Sequence, residues 1–276
     1  MVFRSMDKLK EMRKNLIFQT KRQVSEKLSG DDVHLVRAVS SFKNLEQIFN
    51  LVSEQVFEWY GLHFPEFRGN VSDPVLVLKV IVSVGDRKNF SVDSLSNIVS
   101  DSSLVEKIVN WAENSSGGKI ENHSLKSVQL LAQEALNIKT ACDSLQSFVK
   151  KQMVEIAPNF SELATSLIAS QLLARAGSLE RLASMPGSTI QVLGAEEALF
   201  SHLRNKTKSP KHGFIFNHPL IKSLPKKARG KMARTLSGKL AICVREDFFG
   251  KKRIVDEYKP KLEKLHLLLK KNSFGK

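Results

Sequence analysis

The stretch SVQLLAQEALNIKTACDSLQSFV, residues 127–149, decides the fold because its apolar side chains recur at a regular spacing. Steps of three and four residues alternate over three repeats, which is the heptad pattern of a helix that packs against another helix. The positions of this seam are Val128, Leu131, Ala135, Ile138, Cys142, Leu145 and Val149. The sequence therefore predicts one long α-helix here.

The segment before this helix predicts a second helix and a hairpin. Leu95, Ile98, Val105 and Ile108 follow helical spacing, although GDRKNF at 85–90 interrupts the pattern. The turn SSGG at 115–118 then favours an antiparallel arrangement of the two helices. The seam is either an ordinary bundle core or a coiled coil, and its length favours the coiled coil, which could pair with itself or with a second chain.

The N-terminal 70 residues are predicted to be helical. Leu45, Ile48, Val52, Val56 and Trp59 share one helical face, which ends at Gly61 and Pro65. The aromatic-rich segment EWYGLHFPEF that follows is either a packing junction or an exposed docking patch.

The third region begins where Ala157-Pro158-Asn159 interrupts the long helix. Residues 161–185 are rich in Ala, Ser and Gly, which allows helices to approach closely. Pro186-Gly187 ends this part, and Ser188 is predicted to cap a helix through TIQVLGAEEALFSHL. Ser223 and Pro225 predict the start of the last helix. No strand alternation is visible, so the predicted class is all-α.

Positive charge is concentrated in the last quarter of the chain. Residues 201–276 contain 21 Lys and Arg against 5 Asp and Glu, whereas the first 200 residues contain 22 against 23. Such a field suits a polyanion, either nucleic acid or an anionic membrane surface. A basic tail that only aids solubility is the alternative.

Several other classes are disfavoured. No run of 18 apolar residues predicts a membrane span, and the charged N-terminus does not resemble a secretion signal. Cys142 and Cys243 are interpreted as reduced core thiols. His202, His212 and His218 lack the spacing of a metal site, and no hydrolase or P-loop motif occurs. The sequence therefore predicts neither a metal site nor catalytic residues.

A basic loop and a basic helical stripe are the strongest functional signal. The loop contains Lys206, Lys208, Lys211 and His212, and the stripe contains Lys227, Lys231 and Arg234. Lysine and arginine neutralise phosphates, and a neutral histidine can bond or stack on a base. These residues predict binding to a nucleic acid backbone, without choosing between RNA and DNA.

Three motifs resemble the NOP-domain family: APNFSELATSLIASQLLARAGSLERLASMPGSTIQVLGAEEALFSHL, KHGFIFNHPLI and ARGKMARTLSGKLAICVRED, within about residues 155–247. EWYGLHFPEF and GDRKNF are similar to the segments that enter the coiled coil of that family. The resemblance implies a methyltransferase-docking region at 1–70, a coiled-coil dimerisation hairpin at 71–153, a NOP domain at 154–258 and a basic tail at 259–276.

The resemblance also implies a function. Members are non-catalytic scaffolds of box C/D particles, which direct 2′-O-methylation of RNA. Their partners are the methyltransferase fibrillarin, a kink-turn guide RNA, a small ribosomal-protein-like K-turn-binding protein and a second copy of the scaffold. No cofactor is expected on the scaffold, since fibrillarin holds S-adenosylmethionine. The expected location is the cytoplasm for an archaeal-type protein and the nucleolus for eukaryotic relatives.

The resemblance assigns roles by position. The RNA-binding candidates are Gln191, Gly194, Ala195, Glu196, Lys206, Lys208, Lys211, His212, Arg229, Lys231 and Arg234. The seam from Val128 to Val149 is the predicted dimer contact. The predicted methyltransferase-docking residues are Leu45, Ile48, Val52, Trp59 and Tyr60.

This chain departs from the family pattern in two places. Glu197 and Ser201 occupy two positions that are usually basic in GAEKALFRHL, and about 57 residues precede EWYGLHFPEF, fewer than many members carry. The first departure predicts a larger contribution from the 206–212 loop, and the second predicts a shortened docking region. Two alternatives are a DNA- or RNA-binding protein without a methyltransferase partner and an unrecognised RNA-processing enzyme.

Overall fold

The computed structural model describes residues 2–250 and 252–274, and these residues form helices, turns and loops without a β-strand. The predicted all-α class is confirmed. The helices are α1 Val2–Leu28, α2 Asp31–Gly61, α3 Pro65–Asn70, α4 Pro74–Ser83, α5 Val92–Ser96, α6 Ser102–Glu113, α7 Asn122–Ile156, α8 Pro158–Ala164, α9 Ser166–Ala176, α10 Leu179–Ser184, α11 Gly187–Val192, α12 Glu196–Asn205, α13 Pro219–Lys222, α14 Lys226–Arg245 and α15 Val255–Phe274. Short 3-10 turns occupy Arg87–Asn89 and Phe214–Asn217, and a π turn occupies Glu246–Gly250. No described helix is long and apolar enough to cross a membrane.

The described chain divides into two compact units. Unit 1 contains the residues up to Ser40 and from Ser147 onward, and unit 2 is Ser41–Gln146. Each unit has its own apolar core, and both α2 and α7 have residues in each unit.

In unit 2 the long helix α7 packs against α2 as well as against the segment after residue 73. Phe49 and Val56 of α2 share one core with Val128 and Ala135 of α7. The two helices run in opposite directions, because Glu46 lies near Lys139 whereas Leu62 and Ser124 line the same small cavity. The antiparallel pairing predicted for α7 is therefore present, but its main long partner is α2.

The segment predicted as the first arm of the hairpin is divided into the short helices α4, α5 and α6. Asp73, Ser91 and Asp101 each accept a hydrogen bond from a backbone N–H group at the start of one of them, so each helix has its own cap. Gly85, with φ of +71°, ends the first. The first arm of the predicted hairpin is therefore three short, separately capped helices rather than one long helix.

The predicted dimer seam is covered by this chain itself. Val128, Ala135, Cys142 and Val149 are buried, and Leu131, Ile138 and Leu145 are partly buried. Packing within the chain accounts for the heptad pattern, and the assignment of these residues to dimerisation stays a prediction.

The aromatic-rich segment EWYGLHFPEF is a packing junction. Tyr60, Phe64 and Phe67 are almost fully buried, and the Tyr60 hydroxyl donates to the Gly85 carbonyl at 2.5 Å. Tyr60 is therefore part of the core of unit 2, and its predicted role in methyltransferase docking stays a prediction. Trp59 is 41% exposed.

Unit 1 is built around α14. Met232, Leu236 and Leu240 of this helix are fully buried, as the apolar stripe predicts. The helix begins at Lys226 with Pro225 as its N-cap, whereas the predicted cap Ser223 ends α13 instead.

Asn159 and Asp247 join three segments of unit 1 through a buried network. The Asp247 carboxylate accepts hydrogen bonds from the backbone N–H and side-chain amide of Asn159 and from the N–H of Phe160, at 2.6–3.1 Å. The Asn159 side-chain oxygen accepts from the N–H groups of Ile254 and Val255, at the start of α15. This network fixes α15 against the end of α14.

The region predicted as a basic tail belongs to the folded unit as far as it is described. Leu262 is buried, and Leu265 and Leu269 pack against the core of unit 1. These leucines recur at helical spacing, so the C-terminal part of the chain is a packed basic helix rather than a solvated extension. The prediction for residues 275–276 lies outside the described residues.

Candidate nucleic-acid interface

The basic loop is fixed to the end of α11 by three hydrogen bonds. The N–H of Gly213 donates to the Gln191 carbonyl at 2.8 Å, and the N–H of Phe214 donates to the Leu193 carbonyl at 2.9 Å. The Gln191 side-chain amide donates to the Lys211 carbonyl at 2.7 Å. The loop is thus held in place before any ligand binds, and Gln191, a predicted RNA contact, uses its amide for that purpose.

Two glycines permit this close approach. A Cβ on Gly213 would overlap the Leu193 carbonyl oxygen, so a residue with a side chain cannot occupy this position without moving the backbone. Gly194 has φ of +90°, and a Cβ there would lie 2.5 Å from the Phe214 ring. The predicted helix from Ser188 onward is therefore divided at Gly194 into α11 and α12, and Gly194 has a structural role in this turn.

A basic pocket of about 760 Å³ lies between the loop and α14. Its lining residues are Gln191, Ser209, Pro210, Lys211, Gly230, Lys231, Arg234 and Thr235. None of these is acidic, and Lys211, Lys231 and Arg234 are exposed without an ion pair to any described carboxylate. Four of the predicted RNA contacts, Gln191 and the three cations, thus share one pocket, and its cations are available to an anion.

A stack of three side chains extends the loop. The His212 ring lies parallel to the Phe216 ring with centroids 4.6 Å apart, and the Arg229 guanidinium lies 5.3 Å from the Phe216 centroid. The Arg229 Nε donates to the Leu224 carbonyl at 2.7 Å. Arg229 is therefore partly engaged within the protein, while its charge remains beside His212.

His212 is neutral near pH 7 in this environment. Burial lowers the pKa of His212, and the positive charges of Arg229 and Lys211 lower the pKa further against the opposing backbone hydrogen bond. A neutral imidazole has one donor and one acceptor nitrogen and can bond or stack without adding charge. The structure thus brings together His212 and Arg229, which are both predicted to bind RNA.

The start of α12 is organised by Glu196 and Arg175. The Glu196 carboxylate accepts hydrogen bonds from the Arg175 Nε at 2.8 Å and the Gly194 N–H at 2.9 Å. Burial raises the pKa of Glu196, but these two hydrogen bonds outweigh it, so the net pKa is lowered. Glu196 is thus an ionised partner of Arg175, and Ala195 is the N-cap between them.

The rest of α12 exposes both apolar and polar groups. Phe200 and Leu203 lie one turn apart and are largely exposed, and no α12 residue is buried. Lys206, with φ of +53°, ends the helix in a left-handed conformation, and His202 Nδ1 bonds the Thr207 carbonyl. Lys206 and Lys208 are exposed in the loop, outside the residues that line the basic pocket.

Sequence reasoning missed Phe216 and Arg175. Phe216 belongs to the quoted motif KHGFIFNHPLI, four residues after His212, so its position beside that histidine was open to inference. Arg175 is 21 residues from its partner Glu196 on another helix, and no local pattern connects the two.

Catalytic chemistry finds little support in the described ranges. No three His, Cys, Asp or Glu side chains converge there in a way that could hold a metal ion. Cys142 and Cys243 are free and buried, and burial raises the pKa of both thiols, that of Cys243 to about 12. A protonated, buried thiol is a poor nucleophile.

Comparisons with known proteins give a consistent result. The family model described as Nop, snoRNA binding domain, fibrillarin, matches residues 41–266. An uncharacterized NOP5 family protein of Methanocaldococcus jannaschii is 41% identical over 245 residues, which are 89% of this chain and 59% of that protein. Nucleolar protein 58 of Ajellomyces capsulatus is 39% identical over 217 residues, which are 78% of this chain and 34% of that protein.

A solved structure has the same fold. A chain in the crystal structure of a fibrillarin/Nop5p complex aligns with a TM-score of 0.52 at 24% identity, over 94% of this chain and 78% of that chain. The present chain spans 59% and 34% of the lengths of the two curated relatives.

Proposed function

The chain belongs to the Nop family, and from this premise we propose that it is a non-catalytic scaffold of a box C/D-type ribonucleoprotein that directs 2′-O-methylation of RNA. Its unit 1 binds a kink-turn guide RNA together with a small K-turn-binding protein. A fibrillarin-type methyltransferase is the third partner, and that enzyme holds S-adenosylmethionine. The location of this particle in the cytoplasm, as in an archaeal-type protein, stays a prediction.

The observation that carries this proposal is the preformed basic pocket. Lys211, Lys231 and Arg234 converge on one pocket without a described carboxylate to neutralise them. Phosphate oxygens are the ligands that such a set of cations selects, and binding releases counterions from the nucleic acid. Because the loop is fixed by hydrogen bonds to α11, little ordering entropy is lost on binding.

The surface of α12 supports a composite ligand of RNA and protein. Phe200 and Leu203 are large apolar groups that are largely exposed, and they lie on the helix that leads into the basic loop. Exposed apolar side chains next to cations suit a protein surface bound to RNA better than RNA alone. We therefore assign Phe200 and Leu203 to the K-turn-binding protein and the cations to RNA.

A scaffold role needs no chemistry from this chain. The buried thiols are poor nucleophiles, and the Asp247 carboxylate is saturated by structural hydrogen bonds. Methyl transfer then belongs to the partner enzyme. The docking prediction for Leu45, Ile48, Val52 and Trp59 on α2 stays a prediction.

The test is a binding titration of a box C/D RNA with and without the K-turn-binding protein. We expect tight binding only when that protein is already on the RNA, since both parts of the ligand are needed. In the Phe200→Ala/Leu203→Ala variant, addition of the K-turn-binding protein should no longer tighten binding to the RNA. Exchange of Val92, an exposed apolar residue of unit 2, for Ala is the matched control.

Two outcomes would contradict the proposal. Equally tight binding to an arbitrary duplex without the K-turn-binding protein would favour the alternative, a nucleic-acid-binding protein without a methyltransferase partner. Methylation of RNA by the purified chain and S-adenosylmethionine alone would show that it is an enzyme.

A further inference from the structure

Helix α12 does not take its direction from packing against the core. None of its residues is buried, and none belongs to the apolar core that the described residues of unit 1 form. Its large apolar side chains Phe200 and Leu203 are 67% and 69% exposed. A helix in a folded protein is normally held by an apolar face that packs against its neighbours. Because α12 lacks such a face toward its own chain, its direction depends on the contacts at its ends.

Glu196, the first residue of α12, joins this helix to α9. Its Oε1 atom accepts a hydrogen bond from the Arg175 Nε at 2.8 Å and a second one from the Gly194 N–H at 2.9 Å. In the part of the chain that the structure describes, no other side-chain hydrogen bond joins α12 to another helix. The N-cap residue Ala195 has no side-chain acceptor for the helix start. The contact between Arg175 and Glu196 therefore sets the direction in which α12 begins.

The same turn also holds the basic loop. Gly194 has φ of +90°, and it packs so closely on the Phe214 ring that a Cβ would overlap the ring. Gly194 is thus bonded to α12 on one side and packed against the loop on the other. A displacement of Glu196 would change the position of α12, with Phe200 and Leu203, relative to the loop and the basic pocket.

The Arg175–Glu196 pair lies on the surface of the protein. The two side chains are 53% and 28% exposed, and Arg175 is not among the residues that line the basic pocket. Ion pairs in such positions contribute little to folding stability. Removing the pair should therefore move α12 without unfolding unit 1 and without removing a cation from the pocket.

We propose that Arg175 is a positioning residue that holds α12 at a fixed angle to the basic pocket, and that it thereby couples the binding of the K-turn-binding protein to the binding of RNA. This inference rests on the proposed function, which assigns Phe200 and Leu203 to that protein and the pocket to RNA. Arg175 acts through Glu196 and Gly194, and its own side chain contacts neither ligand.

The experiment measures the affinity of the full chain for a box C/D RNA, first for the bare RNA and then for the RNA with the K-turn-binding protein bound. The ratio of the two affinities is the coupling. Arg175→Met removes the guanidinium and keeps a long side chain. We expect this variant to lower the ratio by about 10-fold, a typical size for coupling between two binding sites. Its affinity for bare RNA should stay within about twofold of wild type, because the pocket is intact.

Two further variants control for charge and for folding. Arg253→Met removes an arginine of similar exposure, 58%, that pairs with Glu162 on α8, and it should leave the ratio unchanged. Arg175→Lys keeps a cation that can pair with Glu196, so it should restore the ratio to within about threefold of wild type. Thermal unfolding of each variant verifies that the fold is retained.

Two results would overturn the inference. A ratio for Arg175→Met equal to that of the wild-type chain would mean that Arg175 does not position α12. A loss of affinity for bare RNA, with a shallower salt dependence than Arg253→Met shows, would mean that Arg175 binds a phosphate directly. Failure of the proposed function is distinct from both, because the wild-type chain itself would then bind bare RNA and the RNA–protein complex equally well.

Discussion

The cations of the candidate interface differ in how far the protein already uses them. Arg229 bonds the Leu224 carbonyl and covers the Phe216 ring, so its removal would disturb the loop as well as the ligand contact. Lys231 and Arg234 are exposed on α14 and have no such task. These two residues therefore give the cleaner test of phosphate binding.

Replacing both Lys231 and Arg234 by Ala should weaken RNA binding by about 10- to 100-fold at moderate salt. The slope of log affinity against log salt should become shallower by about two, because two fewer phosphates release their counterions. Fluorescence anisotropy over a salt series measures both quantities.

Lys264→Ala with Lys270→Ala is the control for that experiment. It removes the same charge from exposed positions of α15 and should change the slope by much less. Equal effects of the two double variants would mean that net charge, rather than the pocket, determines binding.

His218 makes stability depend on pH. Burial lowers the pKa of His218 against an opposing hydrogen bond with the Leu163 carbonyl, and its Nδ1 accepts from the Leu220 N–H. The unfolded chain then binds more protons below about pH 6.5. The contribution of neutral His218 is therefore present above that pH and is lost as the pH falls through the lower folded-state pKa.

We expect His218→Gln to reduce the difference in free energy of unfolding between pH 7 and pH 5, since the variant no longer titrates there. Urea denaturation at both pH values measures it. An unchanged difference would mean that other groups, His212 among them, account for the acid sensitivity.

At the scale of elements, the 206–213 loop depends on a close backbone approach. Gly213→Ala would place a Cβ against the Leu193 carbonyl, so the loop must move away from α11. We expect RNA affinity to fall by about 10-fold or more, because the phosphate-binding groups no longer converge. Gly69→Ala is the matched control, as a Cβ there meets no atom within 4 Å. Equal affinities of the two variants would contradict this role.

The pairing of α2 with α7 predicts a stability effect without a change of mass. Val128 is fully buried in the core of unit 2, so Val128→Ala should lower the free energy of unfolding by about 2 kcal/mol. Leu130→Ala on the exposed side of the same helix should change it by less than about 0.5 kcal/mol. Dissociation of a dimer by Val128→Ala, with stability retained, would show that the seam is an intermolecular contact.

Helix positions were largely predictable from local chemistry, and helix partners were not. Gly61 and Pro158 mark helix boundaries in the structure as the sequence indicates. The heptad seam of α7 predicts that another helix packs against it. The pattern does not determine whether that partner is α2, the segment after residue 73 or a second chain. Partner choice depends on residues such as Val56, which is 72 positions from Val128 along the chain.

The candidate interface was predictable to a similar degree. Lys211, Lys231 and Arg234 were recognisable because basic residues are dense in the last quarter, and they do share one pocket. Gln191 and Gly194 were assigned to RNA, yet both shape the turn that holds the loop. Sequence alone does not separate a residue that contacts a ligand from one that positions its neighbour.

At the scale of the whole molecule, the two units carry different surfaces. Unit 1 holds the basic pocket and the exposed apolar residues of α12, and unit 2 holds an apolar groove lined by Leu51, Trp59 and Leu62 of α2 and by Leu131 of α7. A scaffold needs such separate surfaces, because each partner must bind without displacing another.

The most direct test of this account is a reconstitution that measures 2′-O-methylation of a target RNA. The mixture contains a box C/D guide RNA, the K-turn-binding protein, a fibrillarin-type methyltransferase and S-adenosylmethionine, with or without this chain. We predict site-specific methylation only when the chain and the methyltransferase are both present, and its loss with the Lys231→Ala/Arg234→Ala variant. Methylation of equal yield and specificity without this chain would contradict the account.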